Sequence, residues 1–268
     1  MSRLIIAVAA AAALTAGCQS VETTKAGAVG VDREQRMMIS SEQMNAGAEK
    51  AYGEMMAEAK AKGVLNRDPA QVARVRAIAK RLIPQTASFR PDAPAWKWEV
   101  NVISVKDVNA WAMPGGKMAV YSGLIQQLNA SDDELAAVMG HEIAHALREH
   151  GRERASQAMA QSMGLAVLGA VTGISGGALD LSQLALDVTF NLPNSRTHET
   201  ESDRIGVELA ARAGYDPRAA VSLWEKMHKL GDGQPPQFLS THPSHDSRIA
   251  DLREYAARVM PLYQSAKR

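Results

Sequence analysis

Helical periodicity over most of the chain, one alternating stretch and one hairpin signal together predict an α+β domain, mainly helical, with a small antiparallel sheet. Apolar residues recur every three to four positions over 34–62 and 69–83, and again through most of the chain after Ser122. Trp96 to Val105 instead alternates, with Trp96, Trp98, Val100 and Val102 opposed to Lys97, Glu99, Asn101 and Ile103, as a strand does. Segments 109–112 and 117–121 flank Pro114-Gly115-Gly116, where proline fixes φ and glycine accepts positive φ, and so read as a hairpin. With 268 residues, 46% of them hydrophobic, the chain is long enough for one large domain around a proper core. Thirty basic residues against twenty-nine acidic ones exclude a protein that lives by neutralising nucleic-acid phosphates. The single cysteine, Cys18, excludes a disulfide within the chain.

Taken in order, the elements begin with an export signal. Arg3 supplies a short positive region, and Leu4 to Ala13 an apolar one too short to span a bilayer. It ends in Leu14-Thr15-Ala16-Gly17-Cys18, which resembles a lipobox with threonine in an unusual place. Residues 1–17 are therefore expected to be a lipoprotein signal peptide, and Cys18 to carry the lipid that anchors the chain to a membrane. Gln19, where an aspartate would retain a lipoprotein, directs the expectation to the outer membrane facing the periplasm. Residues 18–33, rich in Thr, Gly and Ala, read as a tether. Residues 34–268 are the functional domain, with N-terminal helices over 34–84 and a core over 96–258.

Met37, Met38, Met44, Ala48, Tyr52 and Met55 predict a first helix over Glu34 to Lys62. Asp68-Pro69 opens a second in the cap-plus-proline arrangement, and Pro84, Pro91 and Pro94 punctuate a loop after it. The later helices break at 172–177, at Leu192-Pro193-Asn194 and at 231–236. Met163 to Ile174 is apolar but falls short of a membrane span, and reads as a buried core helix or a membrane-facing skirt.

The chemistry sits on the helix opened by the capping box Ser131-Asp132-Asp133-Glu134. It carries His141-Glu142-Ile143-Ala144-His145. Histidines at i and i+4 share a helix face, so both imidazoles can reach one zinc ion, and Glu142 beside the first can hold a water. Such a site needs a third ligand. The candidates are His150, His198, Glu199, Glu201, His242 and His245, with His150 five residues on and rotated off the face. Glu199 and Asp203 stand at i and i+4 on a later helix, where one carboxylate can ligate while the other orients an imidazole or water.

The pattern His141-Glu142-xx-His145 followed by Glu199-xxx-Asp203 resembles peptidase family M48. Asn109-Ala110-Trp111-Ala112-Met113-Pro114-Gly115-Gly116 is similar to the family's edge-strand motif. Ser195-Arg196-Thr197 and Thr241-His242-Pro243-Ser244-His245 with Arg248 match further family positions, so the resemblance runs from about Asn109 to Leu252. Ser202 departs from the alanine common there. The resemblance implies a mainly helical, zincin-like metallopeptidase domain with the small sheet beside the HExxH helix. It implies one zinc ion (Zn2+) per chain held by His141, His145 and Glu199, with Glu142 as the catalytic base. Asp203 would steady a ligand or donate a proton, and His242 would latch the site or contact the oxyanion. The signal and lipobox fit the family's lipoprotein branch. The substrates implied are unfolded or misfolded periplasmic and outer-membrane polypeptides, lying along strand 117–121 or its partner 109–113 by edge addition. The alternative is a zinc-latched chaperone or assembly-factor lipoprotein with little turnover.

Overall fold

A computed structural model describes residues 19–172, 180–230, 236–243 and 247–267, with the backbone alone over 163–172. The signal segment, Cys18, the side chains of the apolar run 163–174 and His245 lie outside the described residues. Helix α4 (Asp132–Leu147) forms the centre, buried continuously from Glu134 to Leu147. Ser131 accepts from the Glu134 N–H while the Glu134 carboxylate accepts from the Ser131 N–H, so the expected capping box is present.

Around α4 pack α2 (Pro69–Leu82), α7 (Arg196–Arg212) and α8 (Ala219–Leu230), with α10 (Arg248–Ala266) against α7. The crossing of α4 and α7 is set by two glycines. A Cβ on Gly140 would lie 2.8 Å from the Gly206 carbonyl oxygen, and one on Gly206 would lie 2.7 Å from the His141 nitrogen. Only glycine permits this approach, and it carries Glu199 and Asp203 on α7 across to the histidines of α4.

Beside α4 lies a sheet of β3 (Glu99–Ile103), β4 (Ala110–Met113) and β5 (Lys117–Tyr121), in the order β3-β5-β4. The hairpin β4–β5 pairs antiparallel, and Gly115 and Gly116 at its turn have φ of 79° and 85°. Strand β3 joins β5 in parallel, Val102 opposite Val120, so the sheet is mixed. Segment 117–121 is therefore interior and cannot receive an added strand, whereas β4 is an edge. Strand β3 is shorter than the alternation suggested, because Trp96 and Trp98 stack on each other at 5.6 Å before the strand begins.

Two other expectations fail near the N-terminus. Helix α1 spans Ser41–Ala61, starting late because Ser40 and Gln43 close a capping box. Residues Gln35–Met37 instead form β2, antiparallel to β1 (Gln19–Val21). Nor is 18–33 a free tether over its described part. Thr23, Thr24, Val29 and Val31 are buried, the Val29 N–H donates to Glu208 at 3.0 Å, and the Thr24 hydroxyl accepts from Arg148 at 3.2 Å. A composition of small and polar residues resembles a linker until its hydroxyls and amides find buried charges to satisfy. Burying the two valines contributes about 1.5–3 kcal/mol each at most. The remaining helices are α3 (Ser122–Gln127), α5 (His150–Thr172), α6 (Leu181–Leu186), which runs into a π-turn over Asp187–Asn191, and α9 (Gln237–Thr241). No described helix is long and apolar enough to cross a membrane.

Candidate metal centre

Two helices and one turn bring the site together. Helix α4 supplies His141, Glu142 and His145; α7, capped by Ser195, supplies Glu199 and Asp203; His242 follows α9. His141 Nε2 lies 3.0 Å from His145 Nε2 and 3.2 Å from His242 Nδ1. Glu199 Oε1 lies 3.3 Å from His145 Nε2 and 3.0 Å from His242 Nδ1. One donor atom from each of His141, His145, Glu199 and His242 falls within 4.8 Å of all the others, and all four residues are buried. The structure thus brings His141, Glu142, His145, Glu199, Asp203 and His242 together. Of the other candidate ligands, Glu201 is bonded to Arg33, Arg148 and His150 and His198 to Glu153, so neither joins this cluster.

Hydrogen bonds on the far side of each ring assign the tautomers. His141 Nδ1 lies 2.9 Å from Asp203 Oδ1, an acceptor, so in the neutral ring it carries the proton and leaves a lone pair on Nε2. His145 reaches the same result by a longer chain. Its Nδ1 lies 2.9 Å from His150 Nδ1, and His150 Nε2 lies 2.9 Å from Glu201 Oε2. Because Glu201 can only accept, His150 carries its proton on Nε2 and accepts at Nδ1 from the Nδ1–H of His145. The Nε2 lone pairs of His141 and His145 therefore face each other across 3.0 Å, beside an anionic Glu199. Two imidazole nitrogens and one carboxylate suit zinc's preference for N and O donors, as in catalytic sites with three protein ligands, and a cation resolves the opposed lone pairs of His141 and His145.

Both carboxylates of α7 are anchored by Arg248, itself buried. It donates to Glu199 Oε2 at 2.8 Å and to Asp203 Oδ1 at 2.7 Å. Burial would raise the Glu199 carboxyl, but His242, His141 and the His145 hydrogen bond outweigh it and hold it well below the usual range. Burial pushes Glu142 up, opposed by His242 and His141. Burial likewise drives His145 and His150 down, keeping both neutral. His141 is raised, since its hydrogen bond to Asp203 and the charge of Glu199 overcome burial.

Ala112 of β4 and Glu142 line the same cleft. Since the Tyr121 N–H donates to the Asn109 carbonyl at 3.0 Å, the alternation of an antiparallel ladder turns Ala112 away from β5. The free edge of β4 thus opens into the cleft that holds Glu142.

Sequence reasoning missed the support behind His145. Helix α4 ends at Leu147, and Glu149 takes a φ of 51°, which breaks the helical register. His150 then starts α5 and swings back beneath His145. Glu201, on the same α7 face as His198, receives Arg33 at 2.6 Å and the buried Arg148 at 3.1 Å. Arg33 also grips Glu153 at 2.8 Å. His150, Glu153 and His198 form a second cluster of metal-ligating types, but both nitrogens of His150 are engaged and its ring stacks on His198 at 4.3 Å. This second cluster works as a hydrogen-bond network.

Comparison with known proteins agrees with this geometry. The model of peptidase family M48 matches residues 69–256. The chain is 28% identical to "Metalloprotease YcaL" of Escherichia coli (strain K12) over 269 residues, covering 96% of this chain and 98% of that protein. It is 33% identical to "Metalloendopeptidase OMA1, mitochondrial" of Bos taurus over 247 residues, 87% of this chain and 46% of that protein. It is 29% identical to the "Beta-barrel assembly-enhancing protease" of Escherichia coli (strain K12) over 205 residues, 73% of this chain and 41% of that protein. The chain spans about half the length of the mitochondrial relatives it matches.

Proposed function

Because this chain belongs to peptidase family M48 and is a metalloprotease, we propose that it cleaves unfolded or misfolded polypeptides of the bacterial cell envelope, using zinc held by His141, His145 and Glu199. The observation that carries the reading is the pair of tautomer-fixed Nε2 lone pairs converging with Glu199 beside Glu142. Zinc bound there would supply a Lewis acid for the scissile carbonyl and would lower the pKa of water towards about 7. Glu142 would accept a proton from the attacking water and hand it to the departing amine. Asp203 holds the His141 ring and its tautomer, and Arg248 holds Asp203. Strand β4 receives the substrate backbone along its free edge, which favours extended segments over folded ones.

Hydrolysis of casein by the chain loaded with one equivalent of zinc is the direct test. Glu142→Gln is expected to retain zinc and lose at least about a thousandfold in rate, beyond the usual 10²–10⁴ range's lower half for a general base. Comparable activity in the variant would remove Glu142 from this role.

A second reading has its own observation. His242 stands as a fourth donor, and the cleft beside it retains about 30 Å³ of free space, room for little more than one water. Entry of a peptide requires the His242 ring to swing aside, which describes a latched state and a chaperone-like protein of low turnover. His242→Ala would then raise casein hydrolysis; a fall would instead assign His242 to the reaction.

The lipid anchor on Cys18 and the outer-membrane location belong to the same proposal, supported by the lipobox-like sequence. Cys18→Ser should abolish incorporation of radioactive palmitate and release the protein from the membrane fraction.

A further inference from the structure

The cleft between Glu142 and the surrounding loops has two walls. One is β4, through Trp111 and Ala112; the other contains Arg154 on α5, Val188 and Thr189 of the π-turn, and Asn194. This second wall carries unsatisfied polar atoms. Nε and Nη1 of Arg154 are shut off from solvent and have no hydrogen-bond partner among the described residues, while its Nη2 donates to the Val188 carbonyl. Glu142, Glu199 and Glu153 attract it at a distance, yet burial still lowers its guanidinium to about 10. Asn194 is equally exposed to question. Its Nδ2 donates to the Thr241 carbonyl at 3.1 Å, which fixes the amide orientation and leaves Oδ1 as a buried acceptor with no donor among the described residues. Buried donors and acceptors are almost always paired, so two such residues in one wall of a reactive cleft need an explanation.

An extended polypeptide supplies what is missing, since it presents carbonyls and N–H groups in alternation along its length. We propose that Arg154 and Asn194 are substrate-binding residues that clasp the polypeptide main chain from the side opposite β4, Arg154 donating to a substrate carbonyl and Asn194 accepting a substrate N–H. The peptide thereby lies between an edge strand and a side-chain pair, both reading backbone alone. Affinity then depends little on substrate side chains, as suits a protease of unfolded chains. The inference rests on the peptidase reading, and on no metal contact.

The test uses binding as well as turnover. In the zinc-loaded Glu142→Gln background, fluorescence anisotropy follows fluorescein-labelled, reduced and carboxymethylated α-lactalbumin. Adding Arg154→Met is expected to weaken binding about tenfold to a hundredfold, the range for a hydrogen bond to a charged group. Asn194→Leu should weaken it about threefold to tenfold. In the otherwise wild-type chain the same changes should raise KM more than they lower kcat. The free protein should not lose stability: Arg154→Met removes two unpaired buried donors, so its melting temperature should stay within about 3 °C of wild type. A lowered melting temperature with unchanged peptide affinity would make Arg154 a structural tie to Val188 and overturn the proposal. Unchanged affinity in both variants would also overturn it. Arg154-dependent binding by a wild-type chain that cleaves nothing would leave the clasp standing and remove the peptidase reading.

Discussion

His141 and His145 present the same atom to the same point, yet they are held in two different ways. His141 rests directly on a carboxylate, Asp203, which rests on the buried Arg248; every partner lies on α4, α7 or α10. His145 rests on a neutral imidazole, His150, and only through it on Glu201, which is held by Arg148 and Arg33. The first support is short and anionic. The second is long, and its last residue comes from the N-terminal segment. An adjacent carboxylate both fixes a tautomer and raises the basicity of the ring, whereas an intervening neutral ring fixes the tautomer and passes on less charge. The two supports should therefore fail by different amounts.

The largest effect is expected at the direct support. Asp203→Ala removes the acceptor of His141 and one of the two anions facing Arg248. Zinc affinity should fall about a hundredfold, the upper end for loss of a ligand's partner. Zinc competition with a chromophoric chelator measures it. The relay comes next. His150→Phe keeps a ring of similar size but removes the acceptor for the His145 Nδ1–H, which frees His145 to adopt the tautomer that cannot ligate. The expected loss is about tenfold. His150→Asn, whose amide oxygen can stand where Nδ1 stood, should recover most of it. Equal losses for Asp203→Ala and His150→Phe would show that the charge of Asp203 adds nothing beyond its geometry.

The same contrast decides what could be read from sequence. The direct support was legible because it is periodic: His141 and His145, and Glu199 and Asp203, each stand at i and i+4 on a helix with a recognisable start. The hairpin was legible from Pro114-Gly115-Gly116. The relay was not, because extending α4 in register past Glu149 rotates His150 off the site, and only the positive φ at Glu149 brings it back. Its outer members were beyond any local pattern. Arg33 and Glu201 are 168 positions apart, and Thr23 and Thr24 lie in a stretch whose composition mimics a linker. The parallel joining of β3 to β5 was hidden for the same reason, since the alternation of a strand says nothing about its neighbour. Arg154 and Asn194 escaped notice differently: what marks them is a partner they lack, and that is visible only in the fold.

The smallest effect concerns the outer end of the relay. Arg33 is partly exposed and reaches Glu201 and Glu153 together, while Glu201 keeps Arg148 and His150 without it. Arg33→Met should therefore change zinc affinity less than about threefold, below the range for a direct partner. Its signature lies in the pH dependence of stability. Burial tends to raise the Glu153 carboxyl, but the hydrogen bonds from Arg33, His198 and Gln35 outweigh it and hold the group far below its ordinary 4.5. A carboxyl depressed in the folded state stabilises fully above its unfolded value and loses that contribution as pH falls below it. Arg33→Met weakens the depression, so the variant should melt below wild type at pH 7 by a margin that holds down to about 4.5 and narrows under more acidic conditions. Thermal melts of both proteins from pH 7 to pH 3 measure the margin. A constant margin across that range would mean that Arg33 contributes by packing its stem against the N-terminal segment, and that the charge on Glu153 is held by His198 and Gln35 alone.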